Sequence, residues 1–209
     1  MPDPASDKKE AILKTALSLF VERGFFGTPT SLISKEAGVA TGTLFFYFKT
    51  KEALIDTLYL RVKAEAAEAM GKGIDREPDA KTKLRRVGRN AVTWGIANPE
   101  KITFMELFAH SPFVSTSAHE EGMSHFLFLE NIIRDGIREG TVQDIDRHLL
   151  FCMMASAISA MIGRISTAKT RAEREMVIDQ GLDYIWNGLS SEKGGEMRNK
   201  KAGKKDMIP

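Results

Sequence analysis

The sequence predicts an all-α fold: an N-terminal three-helix unit containing a helix-turn-helix, followed by a larger helical domain. Three observations predict it. Apolar residues recur at i, i+3 and i+4 through most of the 209 residues. No stretch of useful length alternates apolar and polar side chains as a half-buried strand does. Finally, residues 28–52, TPTSLISKEAGVATGTLFFYFKTKE, hold two short helical patterns, Ile33 with Ala37 and Leu44 with Phe48, separated by Gly38-Val39. An apolar pair at i, i+4 gives a short helix one sticky face. Two such helices joined through a glycine make a unit whose second helix can enter the major groove of DNA.

Bulk properties bound the reading. A hydrophobic fraction of 43% and a charged fraction of 28% belong to an ordinary globular protein. A net charge of +2 does not demand a nucleic-acid partner, so any attraction to phosphate must be local. Residues 8–55 supply a modest patch: Lys8, Lys9, Lys14, Arg23, Lys35, Lys49 and Lys51 against Glu10, Glu22, Glu36 and Glu52. Cys152, the only cysteine, excludes an internal disulfide and reads as a core thiol. The N-terminal MPDPASDKKE lacks a signal-peptide apolar stretch, and the apolar run 149–163 reads as too short to span a bilayer. The expectation is a cytoplasmic protein with no membrane partner.

Each helix has local reasons. The first covers about 8–23: Asp7 and Glu10 resemble a capping box, Gly24 is a stop, and Ile12, Ala16 and Phe20 form a stripe with Leu13 and Leu17. In the second, Thr28 is the expected N-cap and Pro29 the first helical residue, with Gly38 as the stop. The third covers 41–48. The fourth, 51–70, carries Leu54, Leu58, Val62 and Ala66 and ends at Gly71-Lys72-Gly73. Further helices are expected over 80–97, up to Asn98-Pro99; over 100–110; over 118–139, closed by Gly140; from Asp144 or Asp146 to 166; and over 171–189. Residues 190–209, rich in Gly, Lys and Glu without periodicity, read as a disordered basic tail. The domains expected are 8–52 for the helix-turn-helix, 53–189 for ligand binding and dimerisation (53–70 the connecting helix), and 190–209 for the tail.

With these pieces placed, the chain resembles the tetracycline-repressor (TetR) family of transcriptional regulators. The resemblance rests on Gly24-Phe25, Thr28 through Ile33, Ala37-Gly38-Val39, Gly42-Thr43-Leu44, Tyr47-Phe48 and Lys51-Glu52-Ala53-Leu54, in that order and spacing. It covers the first quarter of the chain; the later helices fit by number and length. It implies a ligand-responsive regulator, by default a repressor, that binds a palindromic operator as a homodimer. This chain has Ala40 where the family usually has Ser, so Thr41 is the alternative cap of the recognition helix. Phe45 replaces the family's usual Tyr.

On a helical wheel Leu44 and Phe48 point inward, while Gly42, Phe45 and Phe46 point away. Gly42 lets the backbone approach base edges, and Thr41 and Thr43 offer hydroxyls and methyls. For Phe46 the alternative is packing on a neighbouring helix. Thr30 and Ser31, at the N-terminus of the second helix, suit a phosphate, and Thr28 is counted with them among the DNA-binding residues. By resemblance Tyr47, Lys49 and Lys51 are further backbone clamps. Residues 40–46 contain no Arg, Asn or Gln, the usual bidentate readers of guanine and adenine. The operator is therefore expected to be read through thymine methyls, Thr hydroxyls and DNA shape.

In the second half, the helix around 149–165 is apolar nearly all round and is expected to be buried on all sides. By resemblance it and the last helix pair with their copies in a second subunit, through Ser156, Ala160, Gly163, Leu182, Ile185 and Leu189. The alternative is an internal core, and periodicity does not separate the two. Trp94, Phe104, Met105, Phe108, Met123 and Phe126 can line a cavity for a small lipophilic effector, with core packing the alternative for each. His119 and His125, six residues apart, do not make a zinc motif, and a contact for His110 or His119 in the pocket is the alternative to a surface role. No catalytic constellation, metal site or cofactor site is expected. The competing class is a small-molecule-binding or catalytic helical protein with a vestigial helix-turn-helix.

Overall fold

The computed structural model describes residues 4–191, with side chains from residue 7. Among them are ten α-helices: α1 Pro4–Arg23, α2 Thr30–Glu36, α3 Thr41–Tyr47, α4 Lys51–Gly71, α5 Ala80–Ala97, α6 Pro99–Phe108, α7 Thr116–Ser124, α8 Leu127–Arg138, α9 Arg147–Ser166 and α10 Arg171–Leu189. A single 3₁₀ turn, Ile74–Arg76, follows α4. The only sheet-like pairing among these residues is one isolated bridge, Val142 to Ser190. The fold is all-α.

The chain forms two compact units, divided differently from the boundary expected at 52/53. The first comprises the chain up to Ala67 together with residues 97–125, so α6 and α7 belong with the helix-turn-helix. The reason is α1, which packs on α6 as well as on α2 and α3. Its buried face of Ile12, Leu13, Ala16 and Phe20 meets the need for cover that the sequence stripe announces. Phe20 sits edge-on to Phe108 at 5.9 Å, and Ser18 Oγ donates to Glu100 at 3.0 Å. An ionic chain reinforces the unit: Arg61 of α4 pairs with Glu10 of α1 and Glu65, and Glu65 pairs with Lys101 of α6.

Of the described residues, the second unit comprises 68–96 and 126–191. One core gathers Leu84 and Val87 of α5, Leu129, Ile132 and Ile133 of α8, Leu150 of α9 and Leu189 of α10. Another gathers Val92, Met161, Ile165, Ile178 and Leu182. The helices approach closely at small residues. A Cβ on Gly181 would lie 2.1 Å from Met161 Sδ, so α9 and α10 meet there over a glycine.

Several local expectations are corrected. Asp7 lies inside α1, which starts at Pro4, and does not cap it. The long helix expected over 118–139 is two helices broken at His125-Phe126, because α7 buries Ala118 and Gly122 in the first unit while α8 buries Leu129, Ile132 and Ile133 in the second. Of the two cap candidates for α9, Asp146 is used, accepting from Leu149 N at 2.8 Å. Helix α10 opens with a capping box, Thr170 and Glu173, that the sequence reading missed. Ser190 and Ser191, placed at the head of the tail, are instead tied in: Ser191 N donates to Thr141 O at 3.2 Å. Residues 192–209, the rest of the expected tail, lie outside the described residues.

Candidate nucleic-acid interface

The reading head is held together by three apolar anchors and one polar one. Ile33 of α2, Leu44 of α3 and Phe48 just after it are buried where α1, α2 and α3 pack. Gly24 and Gly38, with φ of 66° and 67°, make the turns that end α1 and α2, a left-handed conformation that costs glycine little. The polar anchor was not foreseen. Ser34 is 2% exposed, bonds the Ser31 carbonyl at 3.1 Å and shares a 3.1 Å hydrogen bond with the Thr41 hydroxyl. Its sequence signal is faint: a serine on the inward side of α2, beside Ile33.

Several predicted DNA contacts have different work. Thr28 is fully buried, and its hydroxyl lies 3.0 Å from Leu19 O, near the end of α1, and 2.8 Å from Gly24 O, just past it. It does not cap α2, whose N-cap is Pro29, and its side chain is turned away from the surface. The N-cap of α3 is Ala40 with no side-chain bond, so Thr41 does not take over; its hydroxyl serves Ser34. Lys51 does not extend outward as a clamp. Its ammonium donates to Phe25 O and sits 3.9 Å above the Phe25 ring, and burial there lowers its pKa.

Thr41, despite its bond to Ser34, lies with the remaining candidates on an outward face. Ser31, Thr41, Gly42, Phe45, Phe46 and Lys49 are exposed, while Thr30, Thr43 and Tyr47 are half-buried. Phe46 is 72% exposed, which removes the alternative that it packs on another helix. Its ring lies edge-on to Tyr47 at 5.2 Å. An aromatic side chain this exposed on a seven-residue helix is poorly placed for water alone.

The expected effector-lining residues divide between the units. Phe104, Met105, Phe108 and Met123 lie in the first, and Trp94 and Phe126 in the second. Phe104 and Phe108 are buried, 4.7 Å apart, and Phe108 packs on Phe20, so this pair supports the joint between α6 and α1. An open groove of about 580 Å³ between α1 and α2, bordered by Lys14, Ser18, Arg23 and Leu32, involves none of the six. The sequence reading also missed a polar group between α4 and α7. Tyr59 is 2% exposed and its hydroxyl lies 3.2 Å from His119 Nδ1. Burial pushes the phenol up to about 12. Lys63 lies over the Tyr59 ring at 5.4 Å and 3.9 Å from Met123 Sδ, its pKa lowered by burial. Of the other histidines, His110, His125 and His148 are exposed.

The predicted dimer residues separate by helix. On α9, Ser156, Ala160 and Gly163 are exposed and continue a stripe begun by Leu149, 51% exposed, and Met153, 61% exposed. Only 17% of the most apolar stretch of α9 is buried, so the expectation of burial on all sides fails. By length and composition α9 also suffices to cross a bilayer, contrary to the shorter run read from sequence. On α10 the outcome is the reverse. Leu182 and Leu189 are buried in the second unit's own cores, with Ile185 packed beside them, so that stripe is internal.

This architecture defines a helix-turn-helix DNA-binding protein with a second helical domain. Comparison with known proteins gives the family. Residues 12–58 match "Bacterial regulatory proteins, tetR family" and residues 59–191 match "Tetracyclin repressor-like, C-terminal domain". A tetR-family transcription regulator from Shewanella sp. PV-4 is similar in structure, with a TM-score of 0.79 and 34% identity over 88% of this chain and 99% of that one. The fatty acid metabolism regulator protein of Bacillus subtilis is 28% identical over 135 residues, 64% of this chain and 70% of that protein. The crystal structure of the transcriptional regulator FadR from Bacillus subtilis shares the fold, with a TM-score of 0.68 and 22% identity over 86% of this chain and 98% of that one. The chain belongs to the TetR family of DNA-binding transcriptional regulators.

Proposed function

We propose that the protein is a ligand-responsive repressor that binds a two-fold symmetric operator as a homodimer in the cytoplasm and is released by a small lipophilic effector. One observation carries the dimer: the exposed α9 stripe of Leu149, Met153, Ser156, Ala160 and Gly163, spaced i, i+4, i+7, i+11 and i+14. That spacing is a coiled-coil seam, and a second copy of the same face covers it symmetrically. A two-fold dimer sets two recognition helices about one DNA turn apart, roughly 34–36 Å. The DNA-facing residues in this reading are Thr30, Ser31, Thr41, Gly42, Thr43, Phe45, Phe46, Tyr47 and Lys49.

The effector reading is supported by likeness. A relative is named for fatty acid metabolism, and the FadR structure was solved in complex with stearoyl-CoA. A lipophilic molecule with a polar head agrees with Met123 beside the buried Tyr59 and the half-buried His119 and Lys63. Two measurements test the whole. Selection from random duplex DNA is expected to return an inverted repeat. Adding a series of acyl-CoA thioesters to the complex is expected to weaken binding, 5–150-fold for a coupling of ~1–3 kcal/mol. Asymmetric selected sites, or an affinity indifferent to every acyl chain length while a polar metabolite shifts it, would overturn this reading.

A further inference from the structure

The chain passes from α1 to α2 through a turn that carries an aromatic ring at its corner. Thr28 N donates to Phe25 O at 3.2 Å, closing a four-residue turn with Phe26 and Gly27 at its centre. A Cβ at position 27 would lie 2.4 Å from Arg23 O, so glycine is required there. The buried Thr28 hydroxyl, bonded to Leu19 O and Gly24 O, fixes the far side of the turn. Residues at such corners are normally polar. Phe26 instead stands 84% exposed. Its ring is nevertheless held, edge-on to Phe25 at 5.6 Å and to Phe113, from the loop between α6 and α7, at 5.1 Å. Phe25 and Phe113 stack on each other at 3.8 Å, and Phe25 lies parallel to the buried Phe20 at 6.4 Å. The loop carrying Phe113 is fastened to α4, since Ser115 N donates to Asp56 Oδ1 at 2.9 Å. An apolar side chain that is both exposed and held in place loses little freedom when a partner covers it.

We propose that Phe26 packs against the deoxyribose backbone of the operator, a contact outside the helix-turn-helix that extends the reading face onto the α1–α2 turn. The place of the turn favours DNA over a protein partner. Phe26 lies four residues before Thr30, at most about 14 Å of chain. The neighbouring Phe25 carbonyl accepts from the ammonium of Lys51, two residues after Lys49. The exposed ring is therefore continuous with the DNA-facing set on both sides, at α2 and at Lys49. A neutral ring cannot neutralise a phosphate. It can cover sugar C–H groups, which adds affinity without base preference and without salt dependence.

This contact rests on DNA binding by the head, and the two fail differently. A duplex recovered by selection with the full-length protein is probed with hydroxyl radicals, which attack exposed deoxyribose, and is titrated at several salt concentrations. Phe26→Ala is expected to lose protection of sugars in each half-site and to bind about tenfold more weakly. The slope of log affinity against log salt, to which each neutralised phosphate adds about 0.9, is expected to stay at the wild-type value. Phe26→Tyr, which keeps the ring and its edge-on contacts, is expected to restore both protection and affinity. Thermal melts of the free proteins separate a lost contact from a lost fold. Should Phe26→Ala melt well below the wild type, Phe26→Gln fills the corner without an apolar ring and carries the same expectation. A footprint or an affinity that neither variant changes overturns the proposal. So does a loss seen only when several copies occupy one duplex, since that would put a second protein on Phe26. If selection recovers no duplex, the DNA-binding reading itself fails and this contact with it.

Discussion

Thr41 and Ser34 share a hydrogen bond of 3.1 Å that fastens the recognition helix to the helix before it. Ser34 also bonds the Ser31 carbonyl, which uses its only hydroxyl proton, so Thr41 is the donor to Ser34. Both central positions of the helix-turn-helix are therefore fixed relative to each other by a polar link inside an apolar frame. Ser34→Ala and Thr41→Val are each expected to lower unfolding free energy by about 1 kcal/mol. The double variant should lose less than the sum. Chemical denaturation of the four proteins measures this coupling.

Thr28 offers a clean separation of a structural role from a DNA role. Its hydroxyl serves two carbonyls at the end of α1 from a fully buried position. Thr28→Val is expected to cost about 1–3 kcal/mol of stability, the range for leaving buried polar groups unsatisfied. The salt slope of DNA binding should stay at the wild-type value. A thermal melt and a salt titration check the two halves.

Phe46 is the opposite case. With its ring 72% exposed, Phe46→Ala should change stability by no more than about 0.5 kcal/mol. Operator affinity is expected to fall about tenfold, a loss of about 1.4 kcal/mol. Because the reading face has no bidentate base reader, replacing thymine by uracil at the contacted positions should reproduce part of that loss. Binding measured on matched thymine and uracil duplexes gives the result.

The exposed seam on α9 predicts an oligomeric change. Met153→Glu and Ala160→Glu place a charge in the centre of the proposed interface, where desolvation opposes association. Light scattering after gel filtration is expected to show a dimer for the wild type and the 23.2 kDa monomer for either variant. Tm measured at low protein concentration should separate loss of pairing from loss of fold.

Acid should loosen the first unit through the chain Glu10–Arg61–Glu65–Lys101. The hydrogen bond from Arg61 lowers the Glu10 pKa below 4.5 against desolvation. For Glu65, desolvation raises the pKa, but the bonds from Lys101 and Arg61 outweigh it and the net shift is downward. With folded values depressed, the unfolded chain binds more protons below 4.5. The stabilisation is present above 4.5 and disappears as pH falls through the depressed values. Arg61→Met is expected to be less stable than wild type at pH 7 and to approach it at pH 3, as read by urea midpoints.

Much of the frame was legible locally. Gly24, Gly38 and Gly140 mark helix ends because a left-handed residue stops a helix wherever it occurs. Thr170 and Glu173 show the same kind of signal, legible at three-residue spacing although it went unread. Ile33, Leu44 and Phe48 were identifiable as anchors because a short helix needs one covered side. The roles of Thr28 and Lys51 were not legible. Each depends on a partner brought near by folding: the carbonyls around the end of α1 in one case, the carbonyl and ring of Phe25 in the other.

The two C-terminal stripes draw the line between sequence and tertiary structure most sharply. The sequence by itself determined that α9 and α10 are helices, that α9 is apolar nearly all round and α10 on one side, and that a helix-turn-helix precedes them, since these follow from spacing along one chain. It did not determine what covers each stripe. Tertiary structure buried Leu182 and Leu189 against α5, α8 and α9 and left Met153 and Ala160 facing outward. The hydrophobic effect demands cover for apolar area and is indifferent to its source. Only the three-dimensional packing distinguishes a neighbour in the same chain from a face still open to a second copy.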